Sequence, residues 1–409
     1  MVVKVKYDAL FLCQFFFPEY NSSATLPWDA AKYLASKGFK ISAMCGYPKE
    51  YNMEGTVPTE EDVDNVHIKR LHYVQLKRGK RIGRLINYFS FTLSVLLHIR
   101  ELKKCKCVFV YSNPPVLPIA AVLANRLYKT RIVFVSYDVY PEVAFASNSL
   151  SPGSLITKGM NWLNQTLFRH ASAVVALTEE MREFLLLRRS TLSTDRVAVI
   201  PNWAHEENCQ KAPAAYERFG YSQEDFIVTY FGNMGICQDV ETMLDAISRL
   251  QDKDHIKFLI AGHGSKMEYV MEKTEGQRNV QVLDFLTGKE FEQAVSISSC
   301  SIVSLEYGLR GMCAPSKYYS YLQGGIPVIA VAEKESYLTQ EITQKQIGGA
   351  VEIGDGPALA RTIEDLAQDK DLCCDMAKRA KELYVQDYDR PLCLEKYAEL
   401  LKGLLGNTQ

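Results

Sequence analysis

Short apolar runs alternate with amphipathic stretches along nearly the whole chain. In the first half the strand-like runs are ALFLCQFF, KISAMC, HIKRLHYV, CVFVYS, RIVFVSYDV, AVVALT and VAVIPNW. Between them a helical period predicts helices over 26–37, 82–103, 116–128, 156–170 and 179–187. Strand and helix in strict alternation predict a parallel sheet wrapped on both faces. The stretch IPNWAHEENCQKAPAAYERFGYS is polar and broken and holds Pro213, which makes it the best linker. The pattern then restarts with FIVTYFG, KFLIAG, VQVLDF, CSIVSL, PVIAV and GAVEI. The expected fold is therefore α/β, with two doubly wound Rossmann-like domains over 1–204 and 205–390. The closing segment 391–409 reads as an amphipathic helix that packs back on the first domain.

Ligands of such sheets sit beyond the carboxyl ends of the strands. That rule selects the loops 18–25, 138–144, 232–239, 262–266, 285–288 and 306–317. FGNMGICQDVETMLDAI follows a strand and opens a helix, so Gly232 and Gly235 let the backbone approach a diphosphate. A plain tight turn is the alternative. In AGHGSKMEYV the glycines Gly262 and Gly264 precede Lys266, which stands in a first helical turn where the helix dipole disfavours it. An anionic partner or simple solvation accounts for that lysine. GMCAPSKYYSYLQGGIPVIA places Lys317 at a helix start ahead of a buried strand, and a lysine is costly to bury unless it meets an anion. Three such loops at one edge point to one bound diphosphate.

The 409 residues exceed a single core, and the formal net charge of -1 gives no reason to expect nucleic acid. The 11 cysteines are odd in number and irregularly spaced, which argues against a disulfide framework or a zinc site and fits a reducing cytoplasm. The N-terminus lacks the features of a cleaved signal peptide, and no apolar stretch is long enough to span a bilayer. One local asymmetry changes the picture. From Asn65 to Arg100 there is no acidic residue, against eight cations: Lys69, Arg70, Lys77, Arg78, Lys80, Arg81, Arg84 and Arg100. This cationic stretch runs into a helix apolar nearly all round, which reads as attachment to an anionic membrane surface through Leu85, Tyr88, Phe89 or Phe91. Alternatively the helix is buried and the charges are merely solvated.

The order and spacing of FFPEYNSSATLPWDAAKYLASKGFKISAMCGYP, SYDVYPEVA, VIPNW, FGNMGICQDVETML, IAGHGSK, VQVLDFLTGKE and PSKYYSYLQGGIPVIA resemble the family 4 glycosyltransferases of bacterial capsule, O-antigen and exopolysaccharide clusters. The resemblance covers nearly the whole chain. It implies the GT-B fold, two Rossmann-like domains facing across a cleft, and a sugar transferred with retention from a nucleotide-sugar donor, a UDP-sugar here. It implies no cofactor and no metal, since cationic side chains and helix dipoles hold the diphosphate. Gly232, Asn233, Gly235, Gln238, Gly262, Gly264, Lys266, Glu306, Arg310, Ser316, Lys317 and Ser320 would then surround the donor, with Phe285 and Leu286 against the base. Lys317, Lys266, Asp138 and Glu142 are the catalytic candidates, the last two facing the acceptor. Glu19, Asn21, Ser22 and Ser23 would line the loop that closes over the diphosphate. The acceptor implied is a lipid-linked glycan at the inner face of the cell membrane.

The chain also departs from the family pattern. Ser320 stands where the second of two glutamates grips the ribose, and Arg310 stands where relatives carry the first. Asn233 and Gln238 replace an arginine and a lysine, and YNSSATLP replaces a Gly-Gly turn, so Ser23 reads equally as a helix N-cap. Two other functions stay open: a non-catalytic nucleotide-sugar-binding partner of another transferase, and a nucleotide-sugar 2-epimerase on the same scaffold.

Overall fold

The computed structural model describes residues 5–48, 57–76, 81–205 and 213–406. Lys77, Arg78 and Lys80 lie outside the described residues, as does the side chain of Arg81. The first sheet holds β1 (Tyr7–Leu12), β2 (Ile41–Gly46), β3 (Glu60–Val63), β4 (Val66–Leu71), β5 (Cys105–Tyr111), β6 (Arg131–Val135), β7 (Ala171–Ala176) and β8 (Val197–Val199). Its order is β3-β4-β2-β1-β5-β6-β7-β8. The second holds β9 (Phe226–Asn233), β10 (Ile256–His263), β11 (Val280–Leu283), β12 (Cys300–Ser304), β13 (Val328–Val331) and β14 (Gly348–Val351), in the order β11-β10-β9-β12-β13-β14. The helices of the first half are α1 (Ser22–Ser36), α2 (Arg81–Leu97), α3 (Pro118–Tyr128), α4 (Glu142–Ala146), α5 (Leu155–His170) and α6 (Glu179–Arg188). Those of the second are α7 (Pro213–Phe219), α8 (Glu241–Arg249), α9 (Met267–Thr274), α10 (Gly288–Ser296), α11 (Lys317–Gly324), α12 (Tyr337–Lys345), α13 (Gly356–Gln368), α14 (Lys370–Leu383) and α15 (Arg390–Gly406).

The chain forms two compact units. The first comprises 1–202, 311–314 and 391–409; the second comprises 203–310 and 315–390. Apart from the edge strand β3, both sheets are parallel, and their central strands are buried on both faces, which is why those strands read as unbroken apolar runs. In the first unit one core cluster joins Leu10, Val108, Val110 and Phe134 of the sheet to Phe91 and Val95 of α2, Ala121 of α3 and Leu167 of α5. α15 packs in this unit: the Tyr397 ring lies 6.2 Å from that of Phe109, Glu395 pairs with Lys37 at 2.7 Å, and Arg131 donates to the Leu404 carbonyl.

Five expectations are corrected. β3 is antiparallel to β4, an edge strand with no apolar run to betray it; it is held by Arg70, buried and paired with Glu61 at 2.6 Å, and by His67 between Glu60 and Asp62. The helix expected over 82–103 ends at Leu97 and continues as a separate 3-10 turn, Ile99–Lys104. The strand expected through Trp203 stops at Val199, and that expected through Val74 stops at Leu71. The first helix starts at Ser22 rather than at Leu26, so Asn21 and not Ser23 holds the N-cap position, without a capping side-chain bond.

Candidate functional site

In the second unit the carboxyl ends of β9 and β10 are knitted together. Gly232 pairs with Gly262 and Asn233 with His263 across the ladder. Beyond the strands, Met234 N–H donates to the His263 carbonyl (2.7 Å) and Lys266 N–H to the Met234 carbonyl (2.9 Å). This closeness requires glycine. A Cβ on Gly262 would stand 1.9 Å from the Gly232 oxygen, and Gly264 has φ +137° with the Met234 oxygen 2.3 Å from its would-be Cβ. Gln238 closes the turn: its Oε1 accepts from Gly235 N–H (3.0 Å) and from Asn233 Nδ2 (3.2 Å).

Two lysines stand at this edge in different states. Lys266 Nζ donates to the Gln238 carbonyl (2.8 Å), pairs with Glu241 (2.9 Å) and lies 3.5 Å from Glu306. Burial pushes the Glu241 carboxyl up, but the hydrogen bonds from Lys266 and from the backbone outweigh it and leave it below its usual value. Lys317 opens α11, and its Nζ is withdrawn from solvent with no hydrogen-bond partner, although part of its stem is exposed. It sits 3.5 Å above the centre of the Tyr230 ring. Burial pulls its pKa down to about 7. The ring face favours the charged form but supplies no anion. A Cβ on Gly232 would lie 3.7 Å from Lys317 Cε, so this lysine runs along the glycine at the end of β9.

Further along the edge, the Phe285 ring is exposed and packs edge-on against His263, with centroids 4.8 Å apart. Leu286 beside it is half-buried, and Arg310 is exposed. Ser316 occupies the N-cap position of α11 without a capping side-chain bond, and Ser320 is buried one turn further on. Sequence reasoning missed Tyr230, which forms the floor under Lys317; Tyr321, one of the tyrosines that follow Lys317, accepts from Phe231 N–H at 2.9 Å through its hydroxyl. The alternation along FIVTYFG was the available signal for Tyr230, two residues before Gly232 and on the same sheet face.

The first unit carries the other candidates. A small pocket at the ends of β5 and β6 is lined by Ser112, Ser136, Asp138, Tyr140, Asn164 and Arg189, with Phe134 and Phe168 among its apolar walls. Ser112 Oγ accepts from the Tyr137 and Asp138 N–H groups, both at 3.0 Å. Burial raises the Asp138 carboxyl to about 6. The Ser136 hydroxyl is buried without a hydrogen-bond partner. Residues 311–314 complete this region: Cys313 forms an antiparallel bridge with Asp138, and Val139 N–H donates to the Met312 carbonyl at 2.8 Å. Glu142, expected to face an acceptor, is instead held by Arg189 through two bonds of 2.6 and 2.7 Å. In the loop before α1, Glu19 is buried and accepts from Phe16 N–H, Ser22 is exposed, Ser23 is half-buried, and Asn21 Nδ2 is buried without a partner. Among the described residues no group of three or more His, Cys, Asp or Glu side chains could hold a metal ion.

Two doubly wound units in one chain, one of them presenting glycine turns and a buried lysine at its strand edge, define the class: the GT-B architecture. Comparison with known proteins narrows it. Residues 26–203 match the Glycosyl transferase 4-like domain, and residues 215–383 match Glycosyl transferases group 1. The chain belongs to the glycosyltransferases built from these two domains. It is similar to "Probable glycosyltransferase WbjE" of Pseudomonas aeruginosa, 24% identical over 82% of this chain and 82% of that one. In fold it is similar to WaaG, a glycosyltransferase involved in lipopolysaccharide biosynthesis, with a TM-score of 0.72 at 13% identity over 97% of this chain and 100% of that one. Anabaena Alr3699/HepE, solved in complex with UDP and glucose, gives 0.72 at 14% identity with the same coverage.

Proposed function

We propose that the protein is a retaining, metal-independent glycosyltransferase that moves a hexosyl or N-acetylhexosaminyl group from a UDP-sugar to a lipid-linked glycan. Its place would be surface polysaccharide assembly (capsule, O-antigen or exopolysaccharide) at the cytoplasmic face of the membrane. The observation that carries this reading is Lys317, a cation out of water, without a partner, beside the glycine end of β9. A diphosphate there supplies the missing counter-charge, and the N-terminus of α11 adds its dipole. Phe285 is exposed at the end of the same edge, where a uracil ring can lie against it. The HepE complex with UDP and glucose and the lipopolysaccharide role of WaaG support the donor class and the setting. In the transfer, the bond from the anomeric carbon to the donor phosphate breaks as the acceptor oxygen bonds to the same face. The leaving phosphate oxygen takes the acceptor proton, so no carboxylate base is required.

Titration calorimetry with UDP, GDP, ADP and CMP tests the donor site. UDP is expected to bind selectively, and Lys317→Ala to weaken it at least ~30-fold, the cost of removing one partner of a buried charge pair. No binding of any nucleotide, with or without acceptor lipid, would overturn the reading. The buried Ser320, in place of a ribose-gripping glutamate, keeps a second reading in view, a donor-binding partner without turnover. UDP binding without release of UDP from any UDP-sugar would favour it.

A further inference from the structure

α2 is apolar on both sides. Asn87, Tyr88, Phe91, Thr92 and Val95 face the core and are buried, which corrects the expectation that Tyr88 and Phe91 touch lipid. The opposite side is formed by Ile82, Leu85, Ile86, Phe89, Leu93 and Leu97, with Phe89 56% and Leu97 77% exposed. A helix apolar all round is normally buried on all sides. The apolar surface does not end with α2. The core cluster sets α2, α3 and α5 against one face of the first sheet. α3 carries the exposed Leu127, and α5 carries Leu155, Ile156 and Trp162, the last 56% exposed. α3 neighbours both α2 and α5, and exposed apolar side chains gathered on neighbouring helices mark an interaction site.

Charge selects the occupant. α2, α3 and α5 contain no Asp or Glu, while Arg81, Arg84, Arg126, Lys158 and Arg169 lie on them. The whole chain has a formal net charge of -1, so these cations are segregated. A second copy meeting this face with its own would oppose like charges. An anionic phospholipid surface matches both the apolar side chains and the basic surround. No described helix is long and apolar enough to cross a membrane. We propose that the outward face of α2, α3 and α5 is a docking surface that seats the first unit in the headgroup layer of an anionic bilayer, with Trp162 inserted. This deepens the lipid-linked reading of the acceptor and takes its biological sense from it, but its test needs no sugar transfer, so the two fail separately.

Trp162 reports the event. The protein has three tryptophans, and Trp28 and Trp203 are buried. Vesicles of phosphatidylcholine with phosphatidylglycerol are expected to sediment the full chain, shift its emission to the blue and, when brominated, quench it. Phosphatidylcholine alone should do none of these, and salt should weaken all of them. Trp162→Phe should keep sedimentation and lose the quench. The pair Phe89→Ser and Leu93→Ser should lower partitioning ~10-fold or more. Arg84→Gln, Arg126→Gln and Lys158→Gln should each lower it about fivefold. These side chains are at the surface, and unchanged circular dichroism checks the fold. Equal binding to neutral vesicles, sedimentation without quenching of Trp162, or no vesicle binding at all would overturn the proposal. A dimer in light scattering that Phe89→Ser dissolves, without vesicle binding, would assign the face to a second copy.

Discussion

Lys266 and Lys317 sit at the same sheet edge of the second unit and differ in nearly everything that decides their chemistry. Lys266 has an acidic partner, a carbonyl and a second carboxylate within reach. Its charge is already answered, and an arriving diphosphate must compete with Glu241. Lys317 has an aromatic ring and no acceptor. Its charge is answered only when an anion arrives. The lesson is that a lysine in a glycine loop is a weak sign of an anion site, whereas a lysine buried without a partner is a strong one.

The sharpest way to break this comparison is pH. Lys317 binds a diphosphate in its protonated form, and burial holds its pKa at about 7 in the free protein. UDP-glucose affinity should therefore be flat below pH 7 and fall above it, at most about tenfold per unit, until the higher pKa of the complex is reached. UDP-glucose is the right probe because its diphosphate has no group titrating there. Calorimetry in buffers of different ionisation enthalpy should show a proton taken up on binding above pH 7. In Lys317→Ala both the slope and the uptake should vanish. A slope that survives in Lys317→Ala but not in Lys266→Ala would reverse the roles of the two lysines.

A smaller effect separates the lysines directly. Exposed ion pairs contribute little, so Lys266→Ala should weaken UDP binding no more than about fivefold. Glu241→Gln frees Lys266 and should tighten binding by about twofold to fivefold, on the same scale. If Glu241→Gln weakened it, the carboxylate would be orienting the lysine for the ligand rather than competing with it.

How much of this was readable beforehand follows from the range of each interaction. The glycine turns and the lysine at the head of α11 are local patterns: Gly232 lies at the end of β9 and Lys317 opens α11, as the sequence predicts. The partners are not local. Lys266 meets Gln238 and Glu241 more than a helix away in sequence, and Arg189 reaches back to Glu142 from the end of α6. No periodicity encodes such pairs. The edge strand β3 was hidden because its residues are polar and its support is Arg70, which sequence reading counted only among the cations of the 65–100 window. Trp162 was hidden for the opposite reason: an apolar residue in an amphipathic helix reads as core until burial is known.

The smallest expected effect concerns stability, and its sign follows from proton counting. Between pH 7 and the ordinary lysine value of 10.5, unfolded Lys317 holds a proton that the folded form has largely lost. The unfolded state binds more protons there, so this residue makes stability rise with pH across that window and costs most below it. Lys317→Met keeps the apolar stem and removes the charge. In the absence of nucleotide it should stabilise the protein at pH 6 by roughly 1–3 kcal/mol, the lower end favoured because part of the stem is exposed. The gain should shrink toward pH 10, and UDP should no longer raise the melting temperature. Thermal melts of both proteins at the two pH values, with and without UDP, check it. A Met variant less stable at pH 6 would mean that the Tyr230 ring and the helix compensate the buried charge by themselves. Lys317 would then be a structural cation and not the mark of a donor site.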